Sequence, residues 1–114
     1  MTDCLFCKII DGEIPCDKVY EDDDVLAFRD INPQAPTHIL IIPKKHIATV
    51  NDLEDADQAL AGRLMLVAKQ LATGEGIAEE GYRLVMSCNK GGGQDVFHIH
   101  LHLLGGRQMT WPPG

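Results

Sequence analysis

Positive charge is scarce in this sequence: its 114 residues carry 10 lysines and arginines against 17 aspartates and glutamates, a net charge of −7. A protein that grips a nucleic-acid polymer needs a basic face to displace counterions from phosphates, so that class is excluded. Long apolar runs are also missing. None approaches the roughly 20 residues that cross a bilayer, which argues against an integral membrane protein. The opening MTDCLFCKII lacks the basic stretch, apolar segment and small-residue cleavage site of a secretory leader, so the expected compartment is the cytoplasm. No repeat, low-complexity tract or Pro/Gly/Ser linker divides the chain. With 45% hydrophobic residues it is too apolar for disorder, and its length suits one domain over residues 1–114.

The pattern of apolar residues predicts an α+β domain. Cys4 to Asp11, with Leu5, Ile9 and Ile10, suits a short helix stopped by Gly12. Lys18–Glu21 and Val25–Asp30 are strand-compatible, with Asp22, Asp23 and Asp24 as the hairpin turn between them. Pro33 ends the second run, because it pushes Asn32 away from helical geometry. His38 to Ile42 is a continuous β-branched run closed by Pro43 and reads as a buried strand. From about Asp55 to Thr73, Leu60, Leu64, Val67, Ala68 and Leu71 recur at helical spacing, and Gly74 and Gly76 end the pattern. Tyr82–Ser87 and Val96–Leu104 alternate as strands, with the triple-glycine loop Gly91–Gly93 before the second. The order α-β-β-β-α-β-β implies a mainly antiparallel five-stranded sheet with one short and one long helix.

What the sequence does have is histidine in one place. Three of its five histidines alternate with apolar residues: Phe97-His98-Ile99-His100-Leu101-His102-Leu103. On a strand that spacing sends Phe97, Ile99, Leu101 and Leu103 into the core and the three imidazoles to the other face. A merely polar face would not require histidine at all three positions. Two chemistries use such a set. Neighbouring imidazoles can chelate catalytic zinc; alternatively one attacks phosphorus while the others hold phosphate oxygens and protons. The glycine loop favours the second, since its N–H groups, with Lys90 beside them, offer an anion cradle that a zinc hydrolase does not need. Cys4-x-x-Cys7 by itself is open between a redox pair, two thiols on a helix and half of a metal site. Cys16 and Cys88 have no evident partners in the sequence.

His98-Ile99-His100-Leu101-His102-Leu103-Leu104 resembles the signature of the histidine triad family, and the resemblance runs along nearly the whole chain. Ile10–Pro15, Glu21–Asp23, Ala27–Ile31, Pro33–His38, Ile42–His46 and the terminal Gly105–Met109 with Trp111–Gly114 are similar to its nucleotide-binding Hint-like branch. The resemblance implies hydrolysis of purine nucleoside 5′-phosphoramidates. His100 would be the nucleophile that forms a nucleotidyl-imidazole, His102 the partner of a phosphate oxygen, and His38 an orienting or proton-relaying residue. It also implies a nucleotide site in which Asp30 accepts from the ribose hydroxyls and Phe6, Ile9, Ile14, Phe28 and Ile31 wall the base. Gly93, Gln94, Asp95 and Val96 would form the phosphate-side loop, and Trp111 would reach the partner subunit's site.

Two residues depart from the family pattern. Ser87 stands where asparagine is common, which alters one phosphate or leaving-group contact. Asp95 stands where serine is common, and a carboxylate there favours cationic leaving amines such as that of lysine and repels substrates with extra phosphate. The family further implies a homodimer whose two sheets join through the long helix and its adjoining strand. No catalytic cofactor is implied, but a structural zinc is, held by Cys4, Cys7, His46 and His98. Two rival readings stay in view: a zinc-dependent hydrolase with the triad as metal ligands, and a non-catalytic nucleotide-binding regulator.

Overall fold

The computed structural model describes residues 4–114. Its central feature is why one strand is apolar on both sides. Helix α1 (Leu5–Ile10) is followed by strands β1 (Lys18–Glu21), β2 (Val25–Arg29) and β3 (Thr37–Pro43), then helix α2 (Gln58–Gly74), β4 (Tyr82–Val85) and β5 (Leu101–Gly105). The strands form one sheet in the order β1-β2-β3-β5-β4, with every neighbouring pair antiparallel. Central β3 is buried at all seven positions because both faces are covered. Ile39 and Ile41 pack with Val25 and Ala27 of β2 against Leu64, Val67, Ala68 and Ala72 of α2. Leu40 and Ile42 pack with Leu26 and Phe28 against Phe6 of α1.

The expected architecture is present, with local differences. The β1–β2 turn is made by Asp22, whose carboxylate accepts from the N–H groups of Asp24 and Val25 at 2.8 and 2.9 Å. The long helix begins at Gln58, because Asp55–Asp57 form a 3₁₀ turn at its entrance. The strand expected over Tyr82–Ser87 stops at Val85.

The largest correction concerns the histidine strand. Of the expected Val96–Leu104 only Leu101–Leu104 joins the sheet, in a strand that runs on to Gly105, and Phe97, expected in the core, is 48% exposed. The preceding segment spends its backbone groups elsewhere: the Ile99 N–H goes to the Ile47 carbonyl at 2.8 Å and the His98 carbonyl to the His100 ring. A segment bonded this way cannot also continue a ladder, so alternation stops predicting side-chain direction at Phe97. The triple-glycine loop is a 3₁₀ turn over Lys90–Gly92, entered at Asn89 and left at Gly93, both with positive φ.

Candidate active site

The site lies on the α1 face of the sheet, where β3 and β5 run side by side. His38 and Leu40 share that face of β3, and His102 lies on β5 directly opposite Leu40. His38 and His102 are therefore diagonal neighbours across the pair, the arrangement in which long side chains touch. Their rings meet with His38 Nε2 2.9 Å from His102 Nδ1. His100, just before β5, has its ring 4.9 Å from that of His102 and 5.0 Å, edge to face, from Phe6 of α1.

The hydrogen bonds decide where the protons are. The Gln34 backbone N–H, which can only donate, points at His38 Nδ1 at 3.0 Å. His38 Nδ1 is thus an acceptor, and the neutral ring carries its proton on Nε2. That proton goes to His102 Nδ1, which makes His102 an acceptor there and leaves its N–H on Nε2. His100 is fixed differently: its Nδ1 lies 2.8 Å from the His98 carbonyl, so Nδ1 is the donor and Nε2 keeps the lone pair. Burial holds both relay rings neutral at pH 7. It pushes His38 below the ordinary histidine value against the pull of Asp30, and it brings His102, with His100 and His38 adding to the effect, down to about 4. In the neutral ring, the lone-pair nitrogen of His100 thus belongs to a ring that neighbours that of His102, whose free N–H is a hydrogen-bond donor.

Both rings face a cavity of about 420 Å³, a size suited to a small organic ligand. Of the expected residues, Phe6, Ile9, Phe28, Asp30, Ile31, Asp95, Val96, His38, His100 and His102 line it. The structure does not bring Ile14, Ser87, Gly93, Gln94 or Trp111 to its wall. Ser87 stands against Gly92. Gln94 is buried with its amide committed: the oxygen accepts from the Asn89 N–H and the nitrogen donates to the Ala48 and Val96 carbonyls. Trp111 is 81% exposed in the tail. The N–H groups of Gly92, Gly93 and Gln94 are used inside the turn, on Asn89 and Lys90 carbonyls, so the glycines shape the loop rather than offering those groups to an anion.

The sequence reading missed Leu5, Asn32, Gln34 and Leu40 on the wall. Leu40 was detectable, two residues from His38 on the same face. The others come from the short helix and the β2–β3 connection, where no periodicity points inward. Among the described residues no lysine or arginine lines the cavity, whereas two carboxylates, Asp30 and Asp95, do.

Behind the cavity Cys4, Cys7, His46 and His98 converge, their donor atoms all within 4.8 Å of one another. His98 Nδ1 lies 3.3 Å from Cys4 Sγ, 3.6 Å from Cys7 Sγ and 3.2 Å from His46 Nδ1, and Cys7 Sγ lies 3.3 Å from His46 Nδ1. The edges of a tetrahedron around zinc with two sulfur and two nitrogen ligands are about 3.3–3.8 Å, so the donor set has the right size. His98 Nε2 faces the Pro43 carbonyl at 2.7 Å, which puts its proton outward and its lone pair toward the cluster. Burial, with His46 and His100 nearby, also keeps His98 below the usual value, hence neutral as a ligand must be.

Asp30, His38 and His102 form a second close group, but there the Gln34 N–H keeps a proton on the inward nitrogen of His38. The first cluster fits a cation; the second is a hydrogen-bonded chain running from the Gln34 N–H through His38 to His102.

The HIT domain family model matches residues 11–109. The chain is 60% identical over 105 residues to the purine nucleoside phosphoramidase of Escherichia coli (strain K12), covering 92% of this chain and 88% of that one. Among solved structures it superimposes on a HIT family hydrolase from Legionella pneumophila with a TM-score of 0.97 and 67% identity, over 98% of this chain and 100% of that one. A histidine triad protein from Clostridium difficile gives 0.93 at 44% identity, covering 96% of each.

Proposed function

The chain belongs to the HIT domain family, and from that premise we propose that it hydrolyses purine nucleoside 5′-phosphoramidates through a covalent intermediate on His100. The observation that carries this reading is the pair of fixed tautomers, with a lone pair on His100 Nε2 next to a proton on His102 Nε2. His100 Nε2 attacks the α-phosphorus and the P–N bond to the leaving amine breaks as that nitrogen gains a proton. The His98 carbonyl stabilises the positive charge that develops on the nucleotidyl imidazole through Nδ1–H. His102 Nε2–H donates to a phosphoryl oxygen, and His38 holds it in place. Water then attacks phosphorus, the imidazole leaves neutral, and the proton released balances the one taken by the amine. The base stacks among Phe6, Ile9, Phe28 and Ile31, the last fully exposed until a ligand covers it. Asp30 accepts from the ribose.

Cys4, Cys7, His46 and His98 hold a structural zinc that ties α1 to the sheet and takes no part in the chemistry. A rival with the triad as catalytic metal ligands is disfavoured, because His98 faces the cysteines and His46 rather than His100 and His102. Reduced thiols are what such a cluster needs, which suits the cytoplasm. The homodimer reading is supported by the edge position of β4 and by the half-exposed Met65 and Leu66 on α2.

Asp95 gives this site its own selectivity. It stands exposed on the cavity wall, makes no ion pair among the described residues, and is close enough to influence His102. With no lysine or arginine among the described residues of the wall, that carboxylate favours a leaving group that carries positive charge. Wild-type protein is expected to release the nucleoside monophosphate from adenosine 5′-phosphoramidates, with kcat/KM about fivefold higher for a lysyl than for an uncharged amine of similar size. Asp95→Ser should remove that preference. No P–N cleavage by the wild type would sink the functional reading; an unchanged preference in Asp95→Ser would sink the role of Asp95.

A further inference from the structure

We propose that Arg107, outside the cavity, is a positioning residue for this reaction: by holding the Gln34 carbonyl it keeps the Gln34 N–H on His38, and so keeps two active-site histidines in their working tautomers. The proposal rests on the phosphoramidase reading and deepens it. The β2–β3 connection that carries Gln34 is braced mostly by itself. The Asp30 N–H bonds to the His38 carbonyl, the Asn32 N–H to Asp30 Oδ1, and Gln34 Nε2 to the Asn32 carbonyl. Among the described residues, the side chain that reaches this connection from a distant segment is Arg107, whose Nε donates to the Gln34 carbonyl at 3.0 Å. Its Nη1 reaches back to the Gln108 carbonyl at 3.4 Å, which fixes the guanidinium to its own backbone.

The approach of the two segments is built in one residue earlier. Gly106 has φ +93° and its backbone lies so near Pro36 that an added Cβ would stand 2.8 Å from the proline Cβ. Only glycine permits that contact in that conformation. Thr37 pairs with Gly105 where β3 and β5 begin their shared ladder. The exit of β5 is thus seated on the entrance of β3, and Arg107 is delivered to Gln34.

The consequence for chemistry follows from the relay. With the Gln34 N–H on Nδ1, a proton there would face another proton, so His38 is confined to the Nε2–H form. If the loop moves away, His38 can carry its proton on Nδ1 instead. Its Nε2 then becomes an acceptor, and His102 must turn its own proton onto Nδ1 to meet it. His102 Nε2 is left presenting a lone pair to a phosphoryl oxygen, which is repulsive where the reaction needs a donor. One lost hydrogen bond at the loop reverses the polarity of the contact at phosphorus.

The test is nitrogen-detected NMR on isotope-labelled histidine in the ligand-free protein, together with steady-state kinetics on adenosine 5′-phosphoramidate. Wild type should show His38 and His102 as single Nε2–H tautomers. In Arg107→Ala both rings should become tautomeric mixtures and kcat should fall about tenfold, with KM little changed. Arg107→Lys, whose ammonium can still donate to the Gln34 carbonyl, should recover most of both. Wild-type tautomers in Arg107→Ala would overturn the proposal, as would a loss expressed in KM alone. The NMR readout needs no substrate, so a protein that cleaved no phosphoramidate but lost its tautomers in Arg107→Ala would refute the function and not the relay.

Discussion

His100→Ala is expected to lower kcat for adenosine 5′-phosphoramidate by about 10⁴-fold or more, the scale on which removal of a nucleophile acts. The size follows from position. His100 is buried, its Nδ1 proton is spent on the His98 carbonyl, and its other nitrogen faces the cavity beside His102. No neighbouring group can replace it: Nδ1 of His102 accepts from His38, and the acid groups of the wall, Asp30 and Asp95, would meet an anionic phosphoryl group with like charge. Binding of the product monophosphate should survive in the variant, since the wall residues proposed to hold base and ribose come from α1, β2 and the β2–β3 connection. Retained turnover would remove His100 as nucleophile. Unimpaired biological function in a variant without turnover would favour the regulatory reading.

Removal of bound zinc should lower the melting temperature by about 10 °C, the shift that a few kcal/mol of ligand stabilisation produces in a domain of this length. The four ligands come from three places along the chain: the start of α1 (Cys4 and Cys7), the segment after β3 (His46) and the segment before β5 (His98). Without a cation the Cys7 thiol keeps its proton. Burial, followed by the hydrogen bond to and charge of Cys4, pushes it up to about 11. Binding must expel thiol protons, so affinity should rise with pH. Metal analysis of protein purified without chelator, and melting before and after chelation, check this. Cys7→Ser should show the chelated melting temperature with no added metal. Turnover should persist wherever the chelated protein stays folded. Near-zero zinc with an unchanged melting point would refute the site; turnover lost from folded, chelated protein would move the metal into the chemistry.

The sequence announced the sheet and the triad more clearly than it announced their connection. Uninterrupted apolar character at His38–Ile42 correctly marked a strand covered on both faces, because burial on two sides leaves no polar alternation. Alternation across Phe97–Leu103 placed Ile99, Leu101 and Leu103 in the core as they are found, and failed at Phe97 for a specific reason. It reports where side chains would point if the backbone were in a ladder, and here Ile99 is bonded to Ile47 instead. The cysteine pair was visible by spacing, yet His46 and His98 are 39 and 91 residues from Cys7 and joined it only by resemblance. Gln34 illustrates the deeper limit. Its contribution to His38 is a backbone N–H, which every residue except proline possesses, so no side-chain pattern could mark it. The tautomers on which the chemistry turns belong to the folded chain alone.

The most direct test of the double displacement at His100 is the stereochemical course at phosphorus. A phosphoramidate made chiral by sulfur at the α-phosphorus would be turned over in isotopically labelled water and the configuration of the product determined. Attack by His100 followed by attack by water inverts phosphorus twice, so net retention is predicted. Net inversion would mean that water attacks directly and that His100 is not the nucleophile.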